Sequence, residues 1–156
     1  MLFYIIAGLV VAIDQMTKIL IRMNVEIGET IPLWGMELTH YENSGMAHSL
    51  FQGYGRLFAV AAILFVTVVI YYRRQGVLKG VMADLSFGFL AGGAAGNGID
   101  RILFGQVTDF LTSRSGKGIL NLADHAIEIG IVLFIVSGLL QMVRKRRSSE
   151  LTNKNS

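Results

Sequence analysis

Residues 2–23, 57–72, 81–103 and 126–143 form four apolar stretches separated by polar segments. A helix needs about 20 mostly apolar residues to cross the hydrocarbon core of a bilayer, so the pattern predicts an all-α membrane protein, a four-transmembrane-helix bundle. The second stretch is short and is expected to borrow a turn from its neighbours. The first has no basic leader and no small-x-small cleavage site, and it continues through Asp14 and Lys18, so it reads as a retained helix rather than a removable secretory signal. Residues 31–41, IPLWGMELTHY, mix apolar and polar positions around a proline and a glycine, which predicts a small extended or β outward-facing segment after helix one. Trp34, Tyr41, Phe51 and Tyr54 suit a bilayer interface, where an apolar ring meets lipid and its polar edge meets water.

Basic residues orient these helices. Arg73, Arg74 and Lys79 lie between the second and third stretches, and residues 144–147 follow the fourth as RKRR. Short basic loops stay on the cytoplasmic side, so both termini are expected there, with residues 24–56 and 104–125 on the outer face. A single domain is expected over residues 1–147, with 148–156 as a polar, frayed cytoplasmic tail. Composition agrees with lipid: 53% of the chain is apolar and 16% charged, against roughly 25% charged in soluble domains. The net charge of +3 comes mostly from residues 144–147, leaving no basic face for nucleic acid. The chain has no cysteine, which excludes disulfides, thiolate metal sites and a cysteine nucleophile.

Within the third stretch Gly88, Gly92 and Gly96 recur every four residues, a stripe on which another helix backbone can approach closely. Polar residues in the apolar stretches stand out more. Asp14 and Lys18, four apart, share one face and fit either an internal ion pair or a direct part in a site. Gly93, Asn97 and Arg101 form a second stripe, next to Asp100. Asn97 and Arg101 fit hydrogen bonds to a substrate backbone or lipid head group, while Asp100 or Arg101 fits an ion pair closing the helix end. Asp109 and Asp124 are the acids of the second outer segment, each among apolar neighbours (VTDFL and NLADHAI). Asp124, three after Asn121, also fits an ordinary first-turn carboxylate. Two carboxylates converging in a dry site cannot both ionise readily, so one keeps a proton while the other activates water.

Other chemistries fit less well. His125 and Glu128 with His40 or His48 lack the spacing of known zinc motifs, so no metal site is expected. Ser113, Ser115 and Lys117 read as solvated turn residues rather than a serine–lysine pair. A small transporter or channel subunit would need ionisable residues near mid-bilayer on several helices, whereas here they gather towards the outward ends. A scaffold without catalysis would fit a chain lacking either aspartate.

Five blocks in order, DQMTK from Asp14, NSGMA from Asn43, GGAAGNGIDR from Gly92, VTDF from Val107 and NLAD from Asn121, resemble the lipoprotein signal peptidase family, the bacterial type II signal peptidases, over nearly the whole chain. The resemblance implies a small aspartic endopeptidase of the bacterial cytoplasmic membrane, with its site at the outer face. It implies removal of signal peptides from diacylglyceryl-modified prolipoproteins, cut just before the lipid-bearing cysteine. Asp109 and Asp124 are then the catalytic pair, with Asp14, Lys18, Asn43, Gly93, Asn97, Arg101 and Asn121 supporting them or touching substrate. No metal or organic cofactor is implied. The partners implied are the lipid-modified precursors, membrane lipid and peptide-like inhibitors at the aspartate site, and no nucleic acid. His48, the Thr of VTDF, His125 and the basic Arg114 and Lys117 depart from the commoner family pattern and bear on loop contacts and substrate preference.

Overall fold

The computed structural model describes residues 1–46, 50–112 and 118–154, and the side chains of these except 144 and 147–154. His48, Ser113, Arg114, Ser115 and Lys117 therefore lie outside the described residues. In chain order the elements are α1 (Leu2–Asn24), β1 (Thr30–Leu33), β2 (Met36–Asn43), α2 (Gly55–Arg74), α3 (Val81–Phe104), β3 (Val107–Thr112), β4 (Ile119–Leu120) and α4 (Leu122–Lys154).

Glycine spacing makes α3 the central helix. A Cβ on Gly88 would meet Ile6 at 2.9 Å and one on Gly92 would meet Val10 at 2.7 Å, so this stripe lies against α1. A Cβ on Gly93 would stand 2.5 Å from the Ala123 carbonyl and one on Gly130 would meet Leu90, which seats α4 on another face. On a third face Gly98 approaches Ala62 of α2. Side chains without bulk let the backbones close in where lipid supplies no hydrophobic drive. The outer faces of α1, α2 and α4 expose Ile5, Leu9, Ile63, Leu64, Val132 and Ile135, as a lipid-facing surface does.

Three described helices are long and apolar enough to cross a membrane: Leu2–Asn24, Gly55–Arg74 and Leu122–Val143. The expected fourth, α3, falls short in composition because it carries glycines and the polar Ser86, Asn97, Asp100 and Arg101. Its central position explains the difference, since a helix shielded by three neighbours need not be apolar all round.

Two other expectations change. α4 begins four residues before the expected position 126, and it continues to Lys154, so the described part of the tail expected to fray, residues 148–154, is helical. The small extended segment is part of a four-stranded antiparallel sheet in the order β1-β2-β3-β4, to which the second outer segment contributes half the strands. The β1–β2 hairpin turns on Trp34 and Gly35, both at positive φ, the geometry that suits the strand twist. Ile21 and Val25 pack with Leu38 and Phe110 to seat the sheet on the end of α1.

Candidate active site

At the sheet end of the bundle, Asp14, Lys18 and Asp100 are fully buried. Ions in so dry a place cost several kcal/mol each unless they are paired and hydrogen-bonded, and here they are. Lys18 Nζ lies 2.9 Å from Asp14 and 3.2 Å from Asp100. Gln15 donates to both carboxylates, Ala123 N–H donates to Asp14 at 2.9 Å, and Thr108 N–H donates to Asp100 at 3.2 Å. Arg22 stands 3.5 Å from Asp100.

Lys18 also donates to Asn97 Oδ1 at 2.8 Å, and Asn97 Nδ2 donates to Asp124 Oδ1 at 2.7 Å. Asp124 lies in the first turn of α4 with Asn121 ahead of it. Asn121 N–H donates to Asp124 Oδ2 at 3.2 Å and Asp124 N–H donates to Asn121 Oδ1 at 3.0 Å, a reciprocal capping box that satisfies two N–H groups the helix leaves free. The reading of Asp124 as a helix-start carboxylate therefore holds, and it does not exclude the other. Asn121 Nδ2 reaches across to Asp109 Oδ1 at 2.5 Å, so one amide touches both aspartates.

Asp109 sits in β3, which β2 and β4 flank. The register sets Tyr41 opposite Asp109 and Asn43 opposite Val107, so Asn43 lies diagonally across and donates to Asp109 Oδ2 at 2.9 Å. Burial, reinforced by the neighbouring Asp124 carboxylate, pushes the Asp109 carboxyl up to about 7 against the opposing pull of Asn43, Asn121 and Lys18. A carboxyl raised that far keeps its proton well above the ordinary carboxylate range.

Asp124 faces a cavity of about 470 Å³ between α2 and α4, floored by α3, with Asn97, Arg101 and Glu128 among its polar lining and Phe58, Ala61, Phe65 and Ile127 as apolar wall. Arg101 donates to the Gly45 carbonyl at 2.8 Å, and its guanidinium lies 5.6 Å from the Phe58 ring centroid. Among the described residues its Nε is the one buried side-chain nitrogen or oxygen without a hydrogen-bond partner. An unsatisfied donor at a cavity wall can receive a carbonyl.

Asp14, Lys18, Asn43, Gly93, Asn97, Arg101, Asn121, Asp109 and Asp124 thus fall in one connected region. Asn97 spends its amide on Lys18 and Asp124, and Asp14 reaches the pair indirectly through Lys18 and Ala123. The histidines weighed as metal ligands are committed separately: His125 to Glu128 at 3.0 Å and His40 to Glu42 at 2.9 Å. Sequence reasoning missed Gln15, Arg22, Glu42 and Thr108, which enclose the charged cluster. Gln15, inside DQMTK, was the legible one.

The profile of the signal peptidase (SPase) II family matches residues 6–140. A lipoprotein signal peptidase of Shouchella clausii (strain KSM-K16) is 36% identical over 148 residues, 94% of this chain and 98% of that protein. Two solved structures share the fold, each described as a bacterial membrane enzyme determined by the in meso method. The one at 2.3 Å has a TM-score of 0.84 at 30% identity, covering 92% of this chain and 90% of the other. The one at 1.9 Å has a TM-score of 0.78 at 30% identity, covering 88% and 92%. The molecule is a bacterial membrane protein and a peptidase. It belongs to the signal peptidase II family.

Proposed function

We propose that this peptidase, whose family removes signal peptides from prolipoproteins, is an aspartic endopeptidase in which Asp109 and Asp124 act as one unit. The observation that carries the reading is Asn121, whose side chain and N–H bridge the two carboxyls. Asp124, open to the cavity, takes a proton from a water that attacks the scissile carbonyl. Asp109, holding its proton, hydrogen-bonds the carbonyl oxygen as charge develops there, and a proton passes to the leaving amine as the C–N bond breaks. Arg101 Nε is free to receive a substrate carbonyl. The lateral gap between α2 and α4 suits a substrate whose diacylglyceryl chains stay in lipid, so that partitioning supplies much of the proximity. Peptide-like inhibitors occupy the same cavity.

All four helices cross the bilayer in this reading, with both termini cytoplasmic and the sheet on the outer face. Because the chain has no cysteine, single introduced thiols report sidedness cleanly. Ile27 and Val77 are both exposed, beyond α1 and between α2 and α3. Ile27→Cys reacts with an impermeant thiol reagent in intact cells, and Val77→Cys reacts only after the membrane is opened. The reverse pattern would overturn the topology.

The dyad is tested with Asp109→Asn, Asp124→Asn and the double variant, following precursor and mature lipoprotein by gel mobility in a host lacking its own enzyme. Each single change lowers cleavage by roughly a thousandfold or more, and the double variant is hardly worse, because residues acting together are non-additive. All four carboxylate oxygens accept hydrogen bonds here, so each Asn sets an amide N–H against a donor. Thermal melting in detergent is therefore measured alongside, to separate lost chemistry from lost fold. Abundant mature product from either single variant sinks the dyad.

A further inference from the structure

The end of the bundle away from the sheet carries basic residues of which the reaction makes no use. α1 is 23 residues long, about 34 Å at 1.5 Å per residue. Its two ends therefore stand near opposite head-group layers of a bilayer whose hydrocarbon core is about 30 Å thick. The sheet is seated on one end. Tyr4, Tyr71 and Tyr72 are exposed towards the other, the depth at which amphipathic rings meet lipid head groups.

At that end Arg73 is committed within the protein. It forks onto both carboxylate oxygens of Asp84 in the first turn of α3, donates to the Leu78 carbonyl at 3.3 Å, and lies 5.0 Å from the Phe3 ring centroid. It thereby ties α1, α2, α3 and the turn between α2 and α3 together, and Asp84 cancels its charge. Arg74 and Lys79 are left over. Both are exposed, and among the described residues neither has a hydrogen-bond or ion-pair partner. Lys79 lies back over Gly76, where an added Cβ would stand 2.8 Å from its Nζ.

A cavity of about 450 Å³ opens between these groups, bordered by Tyr4, Arg73, Arg74, Lys79, Gly80 and Asp84. With Arg73 and Asp84 cancelling, its lining has a surplus of two positive charges. Gly80 is the N-cap of α3, at φ 99°, and no side chain caps the helix, so first-turn N–H groups at this rim add to the positive potential. Basic residues beside a membrane by themselves only set orientation. A concave space between helices, with two uncommitted cations at head-group depth, goes further.

We infer that this cavity binds the phosphate head group of an anionic membrane lipid, with Arg74 and Lys79 as its ligands. The guanidinium offers paired N–H donors to two phosphate oxygens, and the ammonium acts as a point charge beside them. Basic pockets between membrane helices take such head groups, and the acyl chains stay among the exposed apolar side chains of the bundle. The site is separate from the aspartates, and its assay does not depend on the aspartic reading.

The test melts the purified full chain in detergent with and without dioleoylphosphatidylglycerol. The lipid is expected to raise the melting temperature by about 5 °C, as a ligand well above its dissociation constant does for a chain of this length. Dioleoylphosphatidylcholine, which carries the phosphate without net charge, has little effect. Arg74→Gln combined with Lys79→Gln abolishes the rise, whereas Lys145→Gln combined with Arg146→Gln, two exposed charges at the same end of the bundle, keeps it. Both double variants cleave precursor within about twofold of wild type, since sites this far apart act independently, so a lost lipid response is not a lost fold. An equal loss of the rise in the two double variants would reduce the effect to general attraction between a basic end and an anionic surface, and would overturn the site. An equal rise with the zwitterionic lipid would overturn it as well. A rise with inorganic phosphate alone would overturn the lipid as the source of the phosphate.

Discussion

On the side of α3 that faces α1, Lys18 and Asp100 are buried with every polar atom committed to a partner. On the side that faces α2 and α4, Arg101 keeps a free Nε and Asp124 looks into a cavity. Both flanks carry charge that lipid would reject, and the difference lies in spare hydrogen-bonding capacity. The closed flank is a scaffold, since nothing can enter it and nothing in it asks for a ligand. The open flank holds groups with hydrogen-bonding capacity to spare beside a cavity, as the proposed site requires. Intramembrane charge alone therefore does not mark a site; unfilled capacity beside an accessible volume does.

Altering one cation on each flank breaks or sharpens that contrast. The largest effect is expected at the closed flank. Lys18→Met leaves Asp14 and Asp100 buried without their shared cation and costs about 3–5 kcal/mol, read as a large drop in melting temperature in detergent and poor accumulation in the membrane. A Lys18→Met protein that melts like wild type would show that the cluster contributes nothing to the scaffold. A smaller effect, of a different kind, is expected at the open flank. Arg101→Lys keeps the charge but loses the planar fork and the Nε–H. Cleavage of a lipid-modified precursor falls by about tenfold, equivalent to about 1.4 kcal/mol in the barrier, while melting changes little. Unaltered turnover with reduced stability would move Arg101 to the scaffold side.

Sequence legibility followed the range of the interactions. α1 and α2 were readable within about two residues because a lipid-facing helix announces itself by local apolarity alone. Hydropathy alone starts α4 at 126, whereas the reading of Asp124 as a first-turn carboxylate, three after Asn121, already pointed to the earlier start that the capping box makes. α3 read as one more span, although its composition is that of a helix packed on three sides. The strand character of residues 107–112 was invisible because its reason is pairing with residues 38–43, more than 60 positions earlier. The same distance hid the contacts from Arg22 through Thr108 to Glu42, which come from three separate elements. Asp14, Lys18, Asn97 and Arg101 were legible for the opposite reason, each being conspicuous against an apolar background.

The register of β3 with β4 has a consequence for what the chain tolerates. Leu111 pairs with Leu120, and Thr112 with Ile119. The stretch carrying Asp109 and the stretch leading into Asn121 and Asp124 are thus locked together below residues 113–118, and the alignment of the two carboxyls does not depend on how many residues lie beyond the lock. Lengthening a closed segment costs little, about 0.6 kcal/mol per doubling. This is accordingly the place where a spliced epitope or fluorescent reporter is expected to leave the spacing of Asp109 and Asp124 unchanged.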